Sequence, residues 1–114
     1  MTSKITVKMN TCEKTHVITG DLNADGNVDI NIESDCKNIQ EFNERLRYLT
    51  MTDVTDYFNS RLIDKEIRGS LGHVCLIINA VTHVAWMEFG LLSERHAKNS
   101  KRNCIVYVEE ESAP

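Results

Sequence analysis

Four cysteines, Cys12, Cys36, Cys75 and Cys104, are the residues of this 114-residue chain with the most distinctive chemistry. A thiolate is a nucleophile and a metal ligand, whereas a protonated thiol is neither. The first three are far apart in sequence, at positions 12, 36 and 75, and each falls where two predicted elements meet. His73, two residues before Cys75, could add an imidazole. Three thiolates and one nitrogen form a set suited to zinc or to an iron–sulfur cluster.

Composition restricts the class of protein. The chain is short enough for a single domain spanning positions 1–114, and its 41% of hydrophobic residues supply one core without disulfides. The net charge of −4 and the scattered lysines and arginines argue against nucleic-acid binding. The first residues lack the apolar centre of a signal peptide, and no apolar run approaches the ~20 residues that span a bilayer. We therefore expect a cytoplasmic protein without membrane contact, whose reduced cysteines serve metal binding or thiol chemistry.

Alternating apolar residues predict strands in the first third of the chain. Odd positions from 5 to 9 and even positions from 28 to 32 are apolar, with polar residues between them. The predicted strands span residues 4–9, 15–19, 28–32 and, near the end of the chain, 104–110. Strands followed by helices and a last strand predict an α+β fold. We expect a small antiparallel sheet of three N-terminal strands and one C-terminal strand, with helices packed on one face.

Helical periodicity replaces alternation after residue 36. The apolar stripe of the first predicted helix consists of Ile39, Phe42, Leu46 and Leu49. Residues 52–67 predict one or two short helices. Residues 75–89 are apolar almost throughout and too long for a strand, so they predict a buried helix ended by Gly90. Residues 91–103 are polar and basic, which predicts a connection without regular structure.

One turn-rich segment, residues 21–29, resembles the start of an EF-hand calcium loop. Oxygen-bearing side chains occupy loop positions one, three and five, and Gly26 occupies position six. Position twelve, where a bidentate carboxylate is required, is Ile32, and no helix precedes the loop. These departures favour a hairpin turn, with a weak calcium site as the alternative.

The predicted elements suggest that three cysteines converge. Cys12 lies in the loop between the first two strands, whereas Cys36 and Cys75 lie at the starts of two helices, where free N–H groups and the helix dipole lower a thiol pKa. If both helices begin at the same end of the sheet, all three thiols meet there. His16 lies about 13 Å from Cys12 along a strand, so we do not expect the two to share a metal. The alternative is that the cysteines are small buried hydrophobic residues, which the apolar strand around Cys104 favours for that residue.

Three short motifs carry a resemblance to a known family. They are Thr11-Cys12-Glu13, Ser34-Asp35-Cys36-Lys37, and His73-Val74-Cys75 followed by an Ile- and Ala-containing helix. Their order and spacing resemble those of the U-type iron–sulfur cluster assembly scaffolds, from about residue 4 to residue 89. The chain is similar to a divergent member of that family.

The resemblance implies a site, a cargo and partners. It implies that Cys12, Cys36 and Cys75 bind an iron–sulfur cluster or zinc, that His73 is the fourth ligand or a nearby helper, and that protein partners supply or accept the metal or cluster. The chain departs from the family after the first cysteine, where the scaffolds carry Gly and then Asp and this chain carries Glu13 and Lys14. It also places a valine between the histidine and the cysteine, and lacks the proline-containing segment that chaperones recognise.

Two other functions remain open on the sequence. The nearly all-apolar helix over residues 75–89 is compatible with a protein-interaction module without metal, possibly a homodimer, in which the cysteines are structural. Cys75 or Cys36 could also be the nucleophile of a thiol enzyme. No third residue that would orient His73 can be named, and no phosphate-binding loop or serine-centred motif is present. The sequence therefore favours a binding protein over an enzyme.

Overall fold

The computed structural model describes residues 2–109, and its first three strands form an antiparallel meander. The strands of the sheet are β1 (Thr2–Met9), β2 (Lys14–Leu22), β3 (Val28–Ser34) and the two-residue β4 (Tyr48–Leu49), in the order β1-β2-β3-β4. All neighbours pair antiparallel. Together with the helices described below, this confirms the α+β prediction.

The second hairpin closes through a turn held by one asparagine. Leu22 pairs with Val28, and between them the side-chain oxygen of Asn23 accepts hydrogen bonds from the N–H groups of Asp25 and Asn27, at 2.9 and 3.1 Å. Gly26 has a φ of 82°, which only glycine adopts readily. The segment that resembles a calcium loop is thus a hairpin turn, as its departures from that loop predicted.

One face of the sheet is buried and the other is exposed, as the alternation predicts. The buried face carries Val7 and Met9 of β1, His16, Ile18 and Gly20 of β2, and Val28, Ile30 and Ile32 of β3. Threonines, lysines and acidic residues occupy most of the opposite face. Because side chains alternate strictly along a strand, this pattern sets the register of the whole meander.

Within residues 2–109, five helices and two short 3₁₀ turns follow the meander. The helices are α1 (Lys37–Leu46), α2 (Met51–Thr55), α3 (Lys65–Arg68), α4 (Ile77–Glu88) and α5 (Glu94–Ser100), and the 3₁₀ turns are Tyr57–Asn59 and Arg61–Ile63. Helix α1 buries Ile39, Phe42 and Leu46 against β3 and ends at Arg47, which has a φ of 63°. Leu49, the last residue of the predicted stripe, therefore lies in β4. Helix α2 begins with a capping box formed by Thr50 and Asp53.

Helix α4 packs across β1 and β2, and two contacts fix its direction. A Cβ atom on Gly20 of β2 would lie 2.3 Å from Val84 Cγ1, so the absence of a side chain lets the helix approach the strand. Near the end of α4, the buried Glu88 accepts hydrogen bonds from Ser3 Oγ and, at 3.0 Å, from the backbone N–H of Leu22. The C-terminal end of α4 thus lies where β1 begins and β2 ends, and its N-terminal end lies at the opposite end of the sheet.

Two predictions for the C-terminal part are wrong. Residues 101–109 form no strand, and the fourth strand of the sheet is β4 instead; Tyr107 is 86% exposed and Ile105 83%. An apolar run is typical of a strand, but it pairs only where a sheet edge is offered to it, and residues 101–109 do not reach one. The predicted connection contains α5, which Ser93 caps through its Oγ, 3.0 Å from the N–H of His96.

No helix within residues 2–109 has both the length and the apolar character needed to cross a membrane.

Candidate functional site

Four segments meet at the end of the sheet where α4 begins. Val84 lies over Gly20, and the seven residues back to Ile77 span about 10 Å of helix. The four residues from Gly20 back to His16 span about 13 Å of strand. The first turn of α4 therefore comes close to the level of His16, near the turn between β1 and β2. The end of β3 and the start of α1 lie at this same end, since Ser34 pairs with His16.

Cys12 and Cys36 occupy two of these segments. Cys12 is exposed in the turn that joins β1 to β2, closed by the pairing of Met9 with Lys14. Cys36 is half-buried at the N-cap of α1, and its thiol does not cap the helix, which leaves the sulfur free to bind another group. The backbone N–H of Cys36 donates to Ser34 Oγ at 2.9 Å, which ties the helix start to the end of β3.

Cys75 is half-buried two residues before α4. Burial raises the pKa of the Cys75 thiol, and the neighbouring Cys36 and Cys12 raise it further, whereas a hydrogen bond from the Ile77 N–H and the charge of Arg68 act in the opposite direction. Cys36 and Cys12 can influence Cys75 only if the three thiols are near one another. The three cysteines therefore belong to one end of the sheet, and that they share a binding site stays a prediction.

The expectation of a lowered pKa at Cys75 is wrong. The helix begins only at Ile77, so Cys75 receives one N–H group from the helix start while its own burial removes water. A raised pKa leaves the thiol protonated at neutral pH, which does not favour a nucleophile. A metal ion that binds this thiol must displace the proton, so its affinity would increase with pH.

Arg68 is held near this site by a contact with α1. The Arg45 guanidinium donates to the carbonyl oxygen of Ile67 at 2.9 Å, and its second contact, to the carbonyl of Arg68, is 3.4 Å long. Gly69, with a φ of 58°, ends α3 against that guanidinium. The positive charge that acts on Cys75 thus comes from a segment anchored to the core.

The two remaining sequence candidates, His73 and Cys104, are both exposed. His73 lies in the turn at residues 73–74, two residues before Cys75. Cys104 is exposed in the C-terminal segment, so the expectation that it is a buried hydrophobic residue is wrong. All four cysteines are free thiols. Within residues 2–109, no three His, Cys, Asp or Glu side chains form a group that could hold a metal ion.

His16 belongs to the same end of the sheet, although the sequence analysis set it aside as a metal ligand. Its ring is 0% exposed, and Nδ1 lies 2.7 Å from Ser34 Oγ, the atom that also binds the N–H of Cys36. Nε2 is buried and has no hydrogen-bond partner within the described residues. Leaving a buried polar atom unpaired costs about 1–3 kcal/mol of stability. His16 is far from Cys12 along the strand. Its pairing with Ser34 across the sheet, however, brings it near Cys36, whose N–H binds the same serine. The alternation of side chains along β2 could have predicted that His16 is buried, since position 16 lies on the same face as position 18.

Comparison with known proteins gives one match. Neither the curated proteins nor the solved structures include one that matches this chain. A family model described as a family of unknown function, DUF6951, matches residues 3–100, a stretch that contains Cys12, Cys36 and Cys75 and ends before Cys104. Because that stretch covers most of the chain, the protein belongs to the DUF6951 family.

Proposed function

We propose that this protein is a cytoplasmic carrier of a thiophilic metal ion or iron–sulfur cluster, which Cys12, Cys36 and Cys75 bind. The observation that carries the proposal is geometric: the β1–β2 turn, the start of α1 and the segment before α4 lie at one end of the sheet, and each carries one of these cysteines. Three thiolates this near would repel one another. A bound cation would remove that repulsion, which would explain why three thiols lie at one end of the sheet.

The exposure of the thiols supports transfer rather than permanent storage. Cys12 is exposed, whereas Cys36 and Cys75 are half-buried, so a bound ion or cluster would have one face open to a protein partner. A structural zinc site is normally closed by four protein ligands. The cargo would therefore be supplied by one protein and accepted by another, as the resemblance to U-type scaffolds implies. We propose no catalysed reaction.

A histidine completes the ligand set in this proposal. His73 is the sequence-based candidate, and its exposed turn is two residues from Cys75. The resemblance to the scaffolds also directs attention to Glu13 and Lys14, which stand where the scaffolds carry Gly and Asp. Glu13 has a φ of 57°, a conformation that glycine adopts without strain. The turn thus keeps the backbone shape of a glycine position while presenting a carboxylate beside Cys12.

Metal content measured without oxygen tests the proposal. Wild-type protein is purified anaerobically, iron, zinc and acid-labile sulfide are quantified, and the visible spectrum is recorded. Stoichiometric metal supports the site, and sulfide with broad visible absorption identifies a cluster. Cys12→Ala is the informative variant because Cys12 is exposed, so its loss leaves the core intact. Cys104→Ala is the matched control, an exposed cysteine outside the three thiols. Metal-free wild type after exposure to iron, sulfide and zinc, or equal metal in both variants, would contradict the proposal.

A second candidate function, a protein-interaction module, is favoured by exposed apolar side chains. Tyr57 and Phe58 are 71% and 84% exposed and pack edge to face, with ring centroids 5.5 Å apart. The segment from Ile105 to Val108 adds four exposed apolar residues. Sedimentation of wild type, Phe58→Asp and Ile105→Asp over a range of concentrations tests this: a dimer lost in either variant supports a homodimer, and a monomer throughout argues against self-association.

A further inference from the structure

We propose that His16 is the fourth ligand of the thiol site, binding through Nε2, and that the site takes a divalent ion of the zinc type on three sulfurs and one nitrogen. The inference rests on the proposed function, since it assigns the nitrogen ligand of the same site. It replaces the exposed His73 with a buried histidine of β2. Three observations support it.

The first is the way the imidazole is anchored. Nδ1 lies 2.7 Å from Ser34 Oγ, and that oxygen also accepts the N–H of Cys36 at 2.9 Å. One serine therefore links the histidine ring to the residue that presents one of the thiols. Histidines that bind metals usually hold their other ring nitrogen in a hydrogen bond to an oxygen, which fixes the ring and its tautomer. Ser34 supplies that bond here.

The second observation is the unpaired nitrogen. The His16 ring is fully buried, yet Nε2 lacks a hydrogen-bond partner among the described residues. Buried polar atoms are almost always paired, so each exception calls for an explanation. A cation bound to the lone pair of Nε2 explains it, because the nitrogen then has a partner whenever the site is loaded.

The third observation is position. His16 is on the buried face of β2, opposite Val7 of β1 and Ser34 of β3. The first turn of α4 comes close to the same level of the sheet, and Cys75 immediately precedes that turn. His16 thus lies on the buried face of the sheet, at the end where the segments that carry Cys36 and Cys75 lead into α1 and α4.

The test compares two histidine variants in the full chain. His16→Asn keeps a polar atom near the position of Nδ1, which can bond Ser34, but has nothing at the position of Nε2. His73→Asn is the matched control. Zn²⁺ affinity is measured by competition with a chromogenic chelator, Co²⁺ spectra report the ligand set, and circular dichroism reports folding. We expect His16→Asn to weaken Zn²⁺ binding on the order of 10–100-fold or more and to change the Co²⁺ bands, and His73→Asn to leave both unchanged.

The outcomes separate this inference from the proposed function. If Cys12→Ala abolishes Zn²⁺ binding but His16→Asn binds as wild type, the thiol site stands and the assignment of His16 is overturned. Weaker binding in His73→Asn alone also overturns it. If wild type binds neither Zn²⁺ nor Co²⁺, the site itself fails and the inference fails with it. Should His16→Asn not fold, nitrogen NMR of the wild type decides: Zn²⁺ must shift the resonance of His16 Nε2, and an unmoved resonance overturns the proposal.

Discussion

Adding one methyl group at Gly20 is expected to push helix α4 off the sheet. A Cβ atom there would lie 2.3 Å from Val84 Cγ1 and 3.1 Å from Val28 Cγ1. Carbon atoms pack best at about 3.5–4.0 Å, so roughly 1.2–1.7 Å of space is missing toward the helix. Overpacking of this kind costs about 1–3 kcal/mol, and the reduced entropy of the unfolded chain returns about 0.4–1 kcal/mol. We expect Gly20→Ala to lower the free energy of unfolding by about 1–2 kcal/mol.

A double-mutant cycle with Val84→Ala identifies the cause. Val84→Ala alone removes buried methyl groups and should cost about 1.5–3 kcal/mol. In the double variant the new methyl group at Gly20 enters the space that Val84 vacates, so the two costs should not add. We expect a favourable coupling energy of about 1 kcal/mol or more, measured by urea unfolding. Additive costs within about 0.5 kcal/mol would refute the contact as the reason for the glycine.

Gly72→Ala provides the control for the cycle. A Cβ atom at Gly72 meets no atom within 4 Å, so the substitution should change the free energy of unfolding by no more than about 0.5 kcal/mol. Because Cys75 lies two residues before α4, the Gly20→Ala shift should also reach the proposed thiol site. A loss of Zn²⁺ affinity in Gly20→Ala that Val84→Ala restores would connect core packing to metal binding.

Three further predictions concern titration, thiol reactivity and a buried carboxylate. Burial lowers the pKa of His16 below its usual 6.5, so the unfolded chain takes up a proton more readily than the folded chain does. The free energy of unfolding should therefore fall as the pH drops below 6.5, by at most about 1.4 kcal/mol per pH unit. Urea titrations at several pH values would show this. In metal-free protein at neutral pH, Cys75 should be alkylated by iodoacetamide more slowly than the exposed Cys12, and its rate should still increase with pH above the usual thiol pKa, because burial raises its own. Glu88→Ala leaves the backbone N–H of Leu22 without its acceptor, and thermal or urea unfolding should show a loss of about 1–3 kcal/mol.

Each of these predictions has a result that contradicts it. The pH dependence must weaken in His16→Asn, and an unchanged slope would assign it to other groups. If peptide mass spectrometry finds equal alkylation rates at Cys75 and Cys12, then Cys75 is not buried and its pKa is not raised. Glu94→Ala is the control for Glu88, since Glu94 is exposed and its pairing with Lys98, at 3.1 Å, should contribute no more than about 0.5 kcal/mol. Similar losses in both glutamate variants would contradict the role given to burial.

Local periodicity predicted the elements whose partners are close in sequence. The meander follows from period-two alternation and from the turn residues around Gly26, since each strand pairs with the next. Helix α1 follows from its apolar stripe. The prediction of a strand after residue 103 is wrong because hydrophobicity alone cannot say whether a sheet edge is available. The signals of α5 were present, with a serine cap and an i,i+4 pair of Glu94 and Lys98, but its polar composition resembles that of a loop.

The sequence could predict the site only to the extent that it predicts the order of strands and helices and how they pack. Cys12, Cys36 and Cys75 could be placed at junctions between elements, but the sequence left open whether both helices begin at the same end of the sheet, which depends on how they pack. The pKa of Cys75 was not predictable, since it depends on how deeply the helix start is buried and on where the first helical residue falls. The position of His16 required the pairing of β2 with β3, which brings together residues eighteen positions apart.

The direction of α4 has a consequence for the order of events during synthesis. Cys12 and Cys36 leave the ribosome long before residues 77–88, and until those residues follow, the apolar face of β1 and β2 has no helix to cover it. Cys75 reaches the other thiols only when α4 docks on Gly20. The full set of thiols therefore assembles only after the residues of α4 have been made and have docked. Under the proposed function, a protein that delivers an ion would recognise the folded sheet and helices rather than a cysteine motif in an extended chain.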